Sequence, residues 1–177
     1  MIKAKPKVKI YIDGANMFYT QKKLGWIFDW VKIKKYLETE KEITQWRYYV
    51  GLKEGDDKIQ RYLRYLDAIG FDVFTKLLKR IKVENCENFS EAYRGKYIFK
   101  ANFDVEIATD ILLDKSNLDE IIIFSGDSDF EYLVKRLKSI GKKAIVFSSR
   151  KTFSWELKLA ASKYFYFEDH KEIFERK

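Results

Sequence analysis

The residues in this chain whose types and spacing can do chemistry are acidic, and they fall in three short motifs. In Ser125-Gly126-Asp127-Ser128-Asp129-Phe130 two carboxylates stand two positions apart after an apolar run. Two unit charges about 4 Å apart repel by roughly 4 kcal/mol at an effective dielectric near 20. Such a pair asks for a counter-charge, and carboxylates with water suit magnesium or manganese. The plainer reading is a doubled helix cap, since Asp is favoured in a first turn. In Ile10-Tyr11-Ile12-Asp13-Gly14-Ala15-Asn16 a carboxylate ends an apolar run and Gly14 allows a sharp turn. Asn16 then lies one helical turn on, within reach of Asp13 or a ligand. In Lys100-Ala101-Asn102-Phe103-Asp104-Val105-Glu106-Ile107-Ala108-Thr109-Asp110, Asp104 opens a helical pattern. Asp110 is rotated away from it and reads as a supporting acid.

The elements that must position these residues follow from periodicity. Strands are expected at Val8–Ile12, Ile43–Gly51, Phe71–Thr75, Glu120–Phe124, Ala144–Phe147 and Tyr164–Phe167. Helices are expected at Ala15–Leu24, from Asp29 through Leu37, and at Asp56–Ile69, Asp104–Leu113, Asp129–Ile140 and Thr152–Ala161. Strands alternating with helices of this length predict an α/β fold with a mainly parallel sheet covered on both faces. Ligands bind such sheets at the carboxyl ends of the strands, where the strand order reverses. Asp13, Asp127 and Asp129 all follow strands, so residues far apart in sequence are expected to share one edge. Leu77 to Phe99 fits this scheme least, and its two extended runs around a polar middle predict a hairpin insertion at about 77–99 within a single domain spanning 1–177.

The three motifs together resemble the NYN-domain proteins, a branch of the PIN-like nucleases that includes the LabA-like bacterial proteins. The matching residues are Ile12-Asp13-Gly14-x-Asn16, Lys100-x-x-x-Asp104-Val105 with Asp110 behind it, and Ser125-Gly126-Asp127-Ser128-Asp129-Phe130. The resemblance covers residues 8 to about 148, and the segment from Ala160 to Phe167 looks like the family's closing strand. It implies a three-layer α/β/α PIN-like fold and an endoribonuclease dependent on Mg2+ or Mn2+. It also implies Asp13, Asp104, Asp127 and Asp129 as catalytic, metal-holding acids, with Asn16 as a polar helper. The mechanism expected is metal-assisted hydrolysis of the RNA phosphodiester, in which a bound water is acidified and phosphate charge is offset. Some members of the broader family bind RNA without established cleavage, so a non-catalytic RNA-binding module is the alternative.

Charge agrees with a polyanionic partner. The 177 residues hold 35 Lys and Arg against 27 Asp and Glu, a net charge of +8, and cationic side chains gain from counterion release on phosphate. Single-stranded RNA is the expected partner, contacted by Lys100, Arg80, Lys82, Tyr93, Arg94, Lys96 and Arg150, with Tyr93 the preferred stacking residue. The remaining aromatics are expected in the core or at an interface, which leaves a homodimer open. His170, the one histidine, is expected on the surface, so a histidine-based ribonuclease is excluded. A haloacid-dehalogenase type of phosphotransferase needs a second Asp two positions after the first, and Ala15 stands there. No Gly-x-Gly-x-x-Gly follows the first strand and no P-loop is present. One cysteine, Cys86, permits no intrachain disulfide. No run approaches the roughly 18 apolar residues of a membrane span, and no signal peptide is read, so a cytoplasmic location is expected.

Overall fold

The computed structural model describes residues 4–82 and 97–177. Six parallel strands form the central sheet: β1 (Lys7–Asp13), β2 (Glu42–Leu52), β3 (Asp72–Leu77), β6 (Glu120–Phe124), β7 (Lys143–Ser148) and β8 (Lys163–Tyr166). Two further strands, β4 (Lys79–Lys82) and β5 (Tyr97–Lys100), pair antiparallel as a separate ribbon. The helices are α1 (Gly14–Leu24), α2 (Trp30–Glu40), α3 (Asp57–Ala68), α4 (Asp104–Leu112), α5 (Glu131–Ser139), α6 (Trp155–Ala160) and α7 (Lys171–Phe174).

The strand order is β3-β2-β1-β6-β7-β8. The chain walks outward from β1 to β3 and then returns to the other side of β1 with β6. That reversal places a crevice at the carboxyl ends of β1 and β6. The central residues of both strands, Ile10–Ile12 and Ile121–Phe124, are apolar because side chains point alternately to two covered faces. On one face Ile10, Ile12, Ile122, Phe124, Ile145 and Phe147 meet the aromatic residues Phe28, Trp30, Phe71, Phe167 and Phe174. On the other, Tyr11, Ile121, Ile123, Ala144 and Val146 pack on Ile107 and Ile111 of α4, Leu133 and Leu137 of α5 and Leu157 of α6. The result is the α/β/α arrangement of a PIN-like fold.

The boundaries differ from expectation at three places. The expected helix Asp129–Ile140 begins with a short 3-10 turn, Ser128–Phe130, capped by the Asp127 side chain, and turns α-helical only at Glu131. The helix expected from Thr152 starts at Trp155, because the Thr152 and Phe153 N–H groups bond to the Ser149 carbonyl in a turn and Ser154 provides the cap. The C-terminal residues, read only as far as Phe167, form a 3-10 turn and α7. Phe174 is fully buried there, and Phe28 bridges Glu175. His170 is consequently half-buried, stacked on Phe174 at 5.1 Å and close to Tyr36, rather than a free surface residue. Among the described residues no helix is long and apolar enough to cross a membrane.

Candidate active site at the sheet switch point

Asp13 is the last residue of β1 and at the same time the cap of α1, accepting a hydrogen bond from the Asn16 N–H at 3.0 Å. Its other carboxylate oxygen accepts from the Ser125 hydroxyl at 3.2 Å, which ties the end of β1 to the residue after β6. Gly14 is needed because a Cβ there would strike the Tyr49 carbonyl and the Tyr48 ring at 2.6 Å. Asp13 is 8% exposed. Burial pushes its carboxyl up to about 6, helped by the nearby charges of Asp104 and Asp127 and opposed by the hydrogen bonds from Asn16 and Ser125.

Asp104, Asp127 and Asp129 form the outer part of the site. Each offers a carboxylate oxygen to a group in which all such atoms lie within 4.8 Å of one another. Asp127 stands three residues after the end of β6, its N–H donating to Ser125 Oγ at 3.2 Å and its carboxylate accepting from the Asp129 N–H at 3.1 Å. Asp104 enters from the opposite side at the start of α4, where its N–H donates to Asn102 Oδ1 at 2.8 Å. The Asp104 carboxyl is raised, first by burial and then by the charges of Asp127 and Asp129, with the Asn102 side chain and Lys100 opposing. The four acids named from the sequence therefore converge, though not equally. Three can share one ion, and Asp13 stands deeper, beside them.

The donor set decides what fits. It is made wholly of carboxylate oxygen, with no described His or Cys in the group, and none of the four acids has a salt bridge among the described residues. A hard divalent cation such as magnesium or manganese matches such donors.

Asn16 is oriented by a contact that settles its amide. Its Oδ1 accepts from the Gly126 N–H at 3.1 Å, so the oxygen faces inward and the amide NH2 is the part left for a ligand. The same oxygen is 3.5 Å from the Thr20 hydroxyl, which contacts Thr152 at 2.9 Å. Ser125 and Asn102 do work that no sequence signal assigned to them, since a hydroxyl or amide beside an acid is ordinary turn chemistry until the fold brings its partner near.

The residues expected to contact RNA divide into three groups. Lys100 ends β5, exposed and electrostatically coupled to Asp104. On the same ribbon Arg80 lies over the Tyr97 ring at 3.4 Å, and Lys53 over Phe99 at 5.0 Å. Lys82 belongs to β4 by its backbone. Tyr93, Arg94 and Lys96, along with the middle of the expected hairpin, lie outside the described residues. Arg150 follows β7, where its guanidinium pairs with both oxygens of Asp169 at 2.7 and 3.0 Å and lies over Tyr166 at 4.2 Å. Asp110, expected as a supporting acid, accepts from the Tyr49 hydroxyl at 2.6 Å and pairs with Arg47 at 2.8 Å.

Comparison with known proteins bears on the family and the fold. Residues 7–169 match the model of the NYN domain family. The chain is 35% identical over 173 residues to the low amplitude and bright protein LabA of Synechococcus elongatus, covering 96% of this chain and 88% of that one. The crystal structure of a protein of unknown function from Vibrio parahaemolyticus superposes with a TM-score of 0.75 at 23% identity, over 98% of this chain and 99% of that one.

Proposed function

This chain belongs to the NYN domain family, and on that premise we propose that it is a metal-dependent endoribonuclease acting on single-stranded RNA in the cytoplasm. One observation carries the reading. Three carboxylates from two separate elements meet within 4.8 Å, at the switch point of a parallel sheet, with a fourth acid buried behind them. A cation among them would relieve that mutual repulsion. Asp104, Asp127 and Asp129 are the residues that would hold it, with Asp13 supporting them. When bound, Mg2+ or Mn2+ lowers the pKa of a water and offsets charge on the attacked phosphate.

The chain's own groups do the rest. The Asn16 amide donates to a phosphate oxygen, since its carbonyl is taken by Gly126. Ser125 fixes the rotamer of Asp13. Lys100 draws the phosphate toward Asp104 and, with Arg80, Tyr97 and Phe99 on the β4–β5 ribbon, holds the strand. The whole chain acts as one unit, and the ribbon is an insertion that shapes access to the acids. That ribbon also supports the second reading, an RNA-binding module without turnover, because its aromatic and cationic side chains need no metal.

A labelled single-stranded RNA incubated with manganese, magnesium or EDTA separates the two. Cutting that requires the cation and falls about a hundredfold or more in Asp104→Asn supports the nuclease. Wild-type activity in that variant would falsify the mechanism. Tight, salt-sensitive binding with no cutting under any condition would establish the binding module instead.

A further inference from the structure

A second surface beside the acids is unused by the mechanism. The Ser154 N–H donates to the Gly126 carbonyl at 2.8 Å, which seats the start of α6 on the residue preceding Asp127, and α6 packs against the Ser128–Phe130 turn that carries Asp129. The first residue of that helix is Trp155. It is 64% exposed, whereas Trp26, Trp30 and Trp46 are 7%, 1% and 3% exposed. An indole that could cover apolar surface faces solvent instead.

Its neighbours are of one kind. Lys158 Nζ lies 5.3 Å from the Trp155 ring centroid, 5.1 Å from Tyr164 and 5.5 Å from Tyr166. Tyr164 and Tyr166 are themselves 5.4 Å apart on β8, and Arg150 covers Tyr166 from its own side. The patch therefore interleaves aromatic rings with ammonium and guanidinium groups, and its helix is the one that packs against the turn carrying Asp129.

The geometry points to this α6–β8 surface as a stacking platform for the bases of single-stranded nucleic acid, with Trp155 as its principal ring. Rings offer a face to any base, and the cations meet the phosphates between them. A polyanion is favoured over a second copy of the chain or another protein, because the Lys158 ammonium sits among the rings with no salt bridge among the described residues. The placement rests on the proposed function, since the acids give the strand its path, but binding here does not depend on cutting.

The uneven exposure of the four tryptophans makes the test direct. The full chain in EDTA, titrated with a short oligoadenylate, should lose the solvent-exposed component of its tryptophan emission. An abasic strand of the same length and charge should bind more weakly and leave that emission unchanged. Trp155→Ala should weaken binding of labelled oligoadenylate at least about fivefold, measured by anisotropy, while Trp155→Phe should retain most of the affinity. Equal quenching by the abasic strand, unchanged affinity in Trp155→Ala, or emission that responds only to protein concentration would each overturn the platform. Cleavage is not read in this titration, so the nuclease reading stands or falls separately on the Asp104→Asn assay.

Discussion

Asp13 is held in surroundings that favour its proton. Its carboxyl titrates at about 6, against 3.8 for an ordinary aspartate, so in the metal-free protein the folded state binds that proton more tightly than the unfolded chain. Stability is then lost as pH rises from about 4 through 6, and above that range the penalty is on the order of 3 kcal/mol. Asp13→Asn keeps an oxygen to accept from the Asn16 N–H and removes the charge. In EDTA this variant should melt several degrees above the wild type at pH 8 and close to it at pH 4.5, as read by thermal denaturation. A uniform shift at both pH values would show that packing rather than charge sets the difference. The same raised carboxyl implies that cation affinity weakens as pH falls below 6, because protons and metal compete for the site.

At the scale of elements, the site depends on how closely two strand-to-helix turns approach. A Cβ on Gly126 would fall on the Thr152 carbonyl, well inside van der Waals contact, and against Ser148 Oγ. Backbone cannot yield there without moving the turn that carries Asp127. Gly126→Ala should cost about 1–3 kcal/mol, seen as several degrees of Tm, and should lower metal-dependent cutting at temperatures where the variant remains folded. Activity retained at the wild-type level would mean that the acids tolerate displacement of this loop. These turns are also where the sequence was most legible. Apolar runs such as Glu120–Phe124 followed at once by Ser-Gly-Asp declare a strand and its rim. The Lys171–Phe174 helix was not legible, because four residues carry no periodicity and its burial is dictated by Phe28 and Tyr36, far away in sequence. The exposure of Trp155 was equally hidden, since helical spacing cannot say which ring a neighbouring helix covers.

Over the whole molecule, the net charge is +8. Lys100 and Arg80 lie on the ribbon that leads to Asp104, and Lys158 lies among Trp155, Tyr164 and Tyr166. Part of the remaining positive charge is neutralised within the fold. Lys9 pairs with Asp114, whose carboxyl is held well below the usual range because hydrogen bonds from Lys9, Ser116 and Tyr11 outweigh the cost of its burial. Arg150 is committed to Asp169, which an isolated reading of the Ser148–Lys151 run had no means of revealing. Lys100→Ala should weaken RNA binding similarly for all sequences and reduce the slope of log K against log salt by about 0.7. An unaltered slope would remove Lys100 from the phosphate path.

The bond between Ser125 and Asp13 spans 112 residues of chain, and β1 gains its β6 neighbour only across that same separation. Parallel pairing over such a distance closes late in folding, after local contacts have formed. Residues 7–77 hold β1, β2 and β3, but the core they form is completed by Phe124, Phe147, Phe167 and Phe174 from the second half. The acids share that dependence, since Asp13 comes from the first half and Asp104, Asp127 and Asp129 from the second. A chain that ends before β6 therefore has neither a complete core nor the complete group of acids.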